Sequence, residues 1–175
     1  MSHLQYLLYV RCLKLLLVVG MALTTLPGLA AQEEATVEPA DAAVWRVEFS
    51  PWTHHYRFSE EYKYVWALGL ERETPNRGML GLTAFSNSFG QPSAYAYYGH
   101  VFNNVLDRTE ALYLKLTIGI IYGYKVPFED RVPLNYYGFS PAIIPAVGWR
   151  LDKNWSVQAN LLGTSAVMFM VSSRL

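Results

Sequence analysis

The chain has 175 residues and a balanced charge, 14 Lys and Arg against 14 Asp and Glu; 52% of it is hydrophobic and 15% aromatic, with 13 Tyr and 5 Trp. That balance leaves no basic footprint for nucleic acid. The one cysteine, Cys12, excludes a disulfide framework and a cysteine-built metal site.

Residues 1–31 read as a signal peptide. Arg11 and Lys14 form a positive n-region, Leu15 to Leu23 an apolar h-region, and Pro27-Gly28-Leu29-Ala30-Ala31 a small-residue exit. The apolar run is shorter than the ~20 residues of a spanning helix, so cleavage is expected rather than anchoring. About 144 residues then remain, enough for one domain, with 12 basic against 14 acidic side chains. Residues 32–43 form an acidic linker that shows no obvious long amphipathic helix.

From residue 44 to 175 the sequence alternates. Strands are expected near 44–54, 63–72, 79–88, 93–102, 110–122, 136–150, 155–162 and 165–175. In the fifth, Leu112, Leu114, Leu116, Ile118 and Ile120 fall on one face and Tyr113, Lys115, Thr117 and Gly119 on the other, because side chains of a strand alternate. These lengths suit the ~9–11 residues of a tilted membrane strand. In lipid every backbone group must be paired, so such a sheet must close on itself. A soluble, aromatic-rich periplasmic sandwich buries the same apolar faces inward, and periodicity alone does not separate the two. Connection lengths favour a barrel: the longest loop, 123–135, lies on the same side as 55–62 and 89–92, and the chain ends on an alternating Val167, Phe169, Val171, Ser173, Leu175. The expected fold is all-β, an eight-stranded antiparallel transmembrane β-barrel, too narrow for a pore but wide enough for one slender ligand.

Loop parity brings chemistry together. His54, His55 and Arg57 fall at the first outward connection, Asn87 and Ser88 at the second. A serine hydroxyl needs a base to take its proton, and an ordinary histidine titrates near 6.5. A His and a Ser on one rim are therefore suitable parts for acyl transfer, though rims also collect such residues simply because they meet water and headgroups. No His-Glu-x-x-His, Gly-Lys-[Ser/Thr] or Gly-x-Ser-x-Gly motif occurs, so no metal or cofactor is expected. Glu129-Asp130-Arg131, on the longest loop, reads as a solvated cluster.

Several short motifs, in order and spacing, resemble the outer-membrane lipid A palmitoyltransferase family. They are His55-Tyr56-Arg57-Phe58, Ala84-Phe85-Ser86-Asn87-Ser88, Tyr98-Gly99, and the proline-bearing run from Pro141 through Pro145 to Gly148. The resemblance spans about residues 52–148. It implies an acyltransferase that moves a palmitoyl chain from a phospholipid donor to lipid A in the outer leaflet, acting as a monomer in the outer membrane. It assigns His55 as general base, Ser88 as the essential hydroxyl and Asn87 as a polar positioner. Asn87 stands where the family has an aspartate, so no carboxylate is available there to orient the histidine. Arg57 and Tyr97 are expected to contact substrate.

Gly99 lies six residues below Ser93, ~20 Å along the strand at ~3.3 Å per residue, and on the order of 15 Å below the rim at ~40° tilt. The resemblance makes it the floor of an acyl channel; an ordinary barrel glycine relieving crowding is the other reading. Pro141 and Pro145 lack ladder donors and so open a lateral gap for the chain, in agreement with the family's lateral access. Two other functions fit the same residues: an outer-membrane phospholipase or deacylase, and a non-enzymatic barrel serving adhesion or envelope integrity.

Overall fold

The computed structural model describes residues 43–103, 105 and 109–175. The signal peptide at 1–31 and all but the last residue of the linker at 32–43 lie outside the described residues. The strands are β1 (Val44–His55), β2 (Ala67–Glu73), β3 (Gly78–Ser86), β4 (Pro92–Asn103), β5 (Leu112–Tyr122), β6 (Phe139–Arg150), β7 (Trp155–Leu162) and β8 (Ala166–Arg174). Each pairs antiparallel with the next, and β1 pairs with β8 from Arg46↔Arg174 to His55↔Ala166, so the sheet closes into a barrel. A register shift between Phe49 and Trp52 accommodates Ser50 and Pro51 in β1.

Alternation builds this barrel directly. On β5, Tyr113, Lys115 and Thr117 are buried inside, while Leu114, Leu116, Ile118 and Ile120 are exposed outside. The outer surface carries two aromatic levels. Trp45, Trp149 and Trp155 mark one end, and Trp52, Trp66, Tyr122 and Phe139 the other. An apolar band between aromatic levels is consistent with a barrel of the outer-membrane kind.

Four expected boundaries move by two residues or more, the smallest being the start of β5 at Leu112 rather than 110 and the end of β3 at Ser86 rather than Ser88. Residues 63–66 were expected to open β2, but Lys63 N donates to Ser88 O and Ser86 N to Trp66 O, so this stretch pairs with the β3–β4 junction before the ladder begins. The strand expected to run to Ser88 stops at Ser86, because Asn87 turns the chain. The strand expected from 136 starts at Phe139, because Tyr137 (φ 51°) and Gly138 (φ 89°) make a tight reversal bracketed by paired bonds between Tyr136 and Phe139. Two successive positive φ values are the signature of a two-residue hairpin turn.

The barrel's waist is filled by charge. Lys115 Nζ donates to Glu48 Oε1 at 3.0 Å and also to Glu71, and the Tyr97 hydroxyl donates to Glu71 Oε1 at 2.6 Å. All four side chains are buried. Mutual bonding is what makes such a cluster tolerable, since an isolated charge there would be strongly unfavourable. Large rings fit beside it because glycines face them. A Cβ on Gly81 would come within 2.3 Å of the Tyr97 ring, and one on Gly148 within 2.1 Å of Tyr113. Beneath the cluster lies a small cavity of about 20 Å³, among Arg46, Glu73 and Arg150.

Candidate active site

The outward loops place two residues 33 positions apart in direct contact: His55 Nε2 lies 2.8 Å from Ser88 Oγ. His55 ends β1 on its inner face. His54 points the other way, outward, against Trp52 and Tyr56. Alternation thus separates the two histidines and leaves His55 beside the serine. With its proton on Nδ1, the imidazole accepts the Ser88 hydroxyl proton through Nε2, which is the arrangement a general base requires.

Asn87 is buried, but its carboxamide is not part of that pair. Its Oδ1 accepts from Phe89 N and from Gln91 N, both at 3.0 Å, and its Nδ2 donates to Gln91 Oε1 at 3.2 Å. The expected polar positioner therefore acts on the loop rather than on the Ser88 hydroxyl. It fixes the short β3–β4 turn from which Ser88 projects. Gly90, at φ 81°, completes that turn.

Aromatic rings wall the site. Tyr62 stacks on the His55 imidazole at 4.2 Å between centroids, and Phe89 stacks on Phe128 at 4.1 Å. Tyr124 lines the cavity together with Ser88, and burial pushes its pKa up to about 12. Three loops are tied over the mouth: the Gln91 carboxamide bonds the backbone of Lys125 in both directions, and Arg131 pairs with Glu61 at 3.3 Å. Arg57, expected at substrate, is exposed on the first loop and does not line the cavity.

Below His55 and Ser88 a cavity of about 670 Å³ descends into the barrel, with walls from Phe85, Tyr95, Ile121, Ile144, Met168 and Met170. Its lower limit is formed by Tyr97, Thr83, Glu48 and Lys115. Gly99, expected as the floor, lies two residues further down β4 and does not line it. The space beside Gly99 is taken: a Cβ there would meet Leu116 O and Thr117 Cγ2 at 2.8 Å and Met79 Cγ at 3.1 Å. The cavity reaches its lower limit at Tyr97 instead, because the Glu71 bond holds that ring across the barrel.

The wall opens on one side. β6 pairs with β5 along its whole length, from Leu112↔Trp149 to Tyr122↔Phe139, but with β7 only from Ala146↔Asn160 to Arg150↔Ser156. Above Ala146 the two strands part, and Pro141 and Ile143 join the cavity lining there. Pro141 and Pro145 both lie in or next to the parted stretch and carry no N–H, so neither can donate to β7. Both prolines are exposed on the outer surface.

Of the residues expected from the sequence, the structure brings His55 and Ser88 together and sets Pro141 and Pro145 beside the parted strands. The sequence reasoning missed Tyr62, Tyr124 and the Lys115–Glu48–Glu71 cluster. For the last a signal was present: Lys115 falls on the face of β5 opposite the leucines, so a charge had to lie inside and needed partners there. No family model matches the sequence, and no curated protein matches it.

Proposed function

We propose that this protein is an acyltransferase of the outer membrane, moving a long saturated acyl chain, palmitoyl in class, from a phospholipid to lipid A in the outer leaflet. The observation that carries the reading is the 2.8 Å contact of His55 Nε2 with Ser88 Oγ at the mouth of the apolar-walled cavity. The apolar outer band and its two aromatic levels support a membrane location. Lipid A as acceptor rests on the sequence resemblance.

The donor's acyl chain slips sideways between β6 and β7 into the cavity, with its ester at Ser88. Ser88 Oγ attacks the carbonyl carbon and His55 Nε2 takes the hydroxyl proton. The ester bond to glycerol breaks, and His55 returns the proton to the departing glycerol oxygen, releasing lysophospholipid. A hydroxyl of lipid A then attacks the Ser88 ester, giving its proton to His55, and Ser88 leaves as the alcohol once that proton returns to it. The chain gains little by moving from bilayer to barrel, since both are apolar. Selection therefore rests on fit, where one methylene is worth roughly 1–3 kcal/mol.

Mass spectrometry of lipid A from cells with and without the gene tests this. The expected result is an added palmitoyl-sized mass that disappears with Ser88→Ala or His55→Ala while the barrel still assembles. Free fatty acid without acylated lipid A would convert the reading to a phospholipase. Full activity in either variant would remove the site.

A further inference from the structure

A serine that attacks an ester needs donors for the carbonyl oxygen as it becomes an oxyanion, and backbone N–H groups next to the nucleophile commonly serve. Of the three N–H groups following Ser88, those of Phe89 and Gln91 donate to Asn87 Oδ1 at 3.0 Å, and that of Gly90 to Asn87 O at 2.9 Å. The asparagine that shapes the turn thus takes up these three donors, which leaves a place for a side-chain donor beside the N–H of Ser88 itself.

We propose that Tyr124 is an oxyanion donor of the site, its phenol O–H bonding the carbonyl oxygen as the tetrahedral carbon forms. The inference rests on the acyl-transfer reading above. Tyr124 lines the same cavity as His55 and Ser88. Its backbone is clamped at both ends. Gly123 N donates to Gly138 O at 3.0 Å, Tyr124 O accepts from Asn135 Nδ2 at 2.7 Å, and Lys125 N donates to Gln91 Oε1 at 3.1 Å. The ring meets Phe89 edge-on at 6.4 Å. A phenol held this way needs no reorganisation when charge develops, which is the condition for a large electrostatic effect. With its pKa raised by burial, it keeps its proton throughout the working range.

Two other donor side chains near the mouth have contacts of their own. Tyr62 lies flat on the imidazole, 27° from parallel, and Arg131 is held by Glu61. In the attack the Oγ–C bond forms, the carbonyl π pair moves onto oxygen, and the hydroxyl proton passes to His55 Nε2. Tyr124 keeps its own proton and shares it with that oxygen.

The test uses the assembled barrel purified in detergent and a long-chain alkyl fluorophosphonate. There the Oγ–P bond forms, the P–F bond breaks, fluoride leaves, and the Ser88 proton passes to His55. The phosphoryl oxygen stands where the oxyanion would. Wild type is expected to label at Ser88, and Ser88→Ala not at all. Tyr124→Phe should label roughly 100-fold more slowly, in line with the loss of one oxyanion donor, and Tyr136→Phe, at an exposed tyrosine that does not line the cavity, within about threefold of wild type. Binding of a non-cleavable ether phospholipid should be unchanged in Tyr124→Phe. Labelling of Tyr124→Phe at the wild-type rate overturns the assignment while leaving Ser88 as nucleophile. Binding that weakens in parallel with the rate also overturns it, since the role would then be structural. Absence of labelling in wild type overturns the acyl-transfer reading, and this inference with it.

Discussion

The Tyr97 hydroxyl donates to Glu71 at 2.6 Å, and that bond sets where the cavity ends. A tyrosine free to swing could yield to a longer chain. This one is anchored at its tip to a carboxylate that Lys115 also holds, with its ring laid over Gly81. Replacing Tyr97 by Ala should remove the ring that closes the cavity and shift the transferred chain to greater length, read by mass spectrometry of the product. Truncating a buried aromatic should also destabilise the barrel by about 3–5 kcal/mol.

Gly99→Ala should leave chain length unchanged, because Gly99 does not line the cavity. It should lower stability instead, since its Cβ would sit 2.8 Å from Leu116 O, a backbone atom that cannot swing aside. A shift of chain length in Gly99→Ala would return the floor to that position.

Asn87 has a separate test. Asn87→Asp keeps the acceptor for Phe89 and Gln91 N–H, so the turn and the activity should persist within a few-fold. Asn87→Ala removes that acceptor from a buried turn, leaves its donors unpaired at roughly 1–3 kcal/mol, and should cut acyl transfer at least about tenfold. Equal activity in the two variants would show that the turn does not position Ser88.

The waist cluster predicts a non-additive stability pattern. Lys115→Met leaves Glu48 and Glu71 facing each other without a cation and should cost about 3–5 kcal/mol in denaturant unfolding from lipid vesicles. Adding Glu48→Gln and Glu71→Gln should recover much of that loss. A triple variant no more stable than the single one would mean the cluster is not acting as a unit.

At the opposite end, Asp152 Oδ1 accepts from Asn154 N at 2.7 Å and Trp155 N at 2.8 Å, and these bonds hold its carboxyl below the usual range. The contribution of a depressed carboxyl is present above its unfolded value and lost as pH falls through the folded one. The stability gap between wild type and Asp152→Asn should therefore narrow on acidification. A gap that widens would contradict the bonding.

Much of the barrel was legible because a strand with an apolar outer face and a filled inner one writes a period of two into its residues, as Leu114, Leu116 and Ile118 do on β5. The start of β2 was not, since Lys63 to Trp66 alternate like a strand yet spend their backbone groups on the Ser86–Ser88 junction. The rim pair was legible through parity alone: an even number of strand crossings had to return Ser88 to the level of His55. The floor was not, because chain spacing gives depth along β4 but not which ring swings across the lumen. Tyr97 does so only through a partner on β2. Tyr124 was invisible for a similar reason, as its role depends on where Asn87 sends its hydrogen bonds.

The charged waist has one more consequence. Tyr97, Lys115, Glu48 and Glu71 close the lower end of the large cavity, so among the described residues it has the form of a well whose mouth is the rim that carries His55 and Ser88.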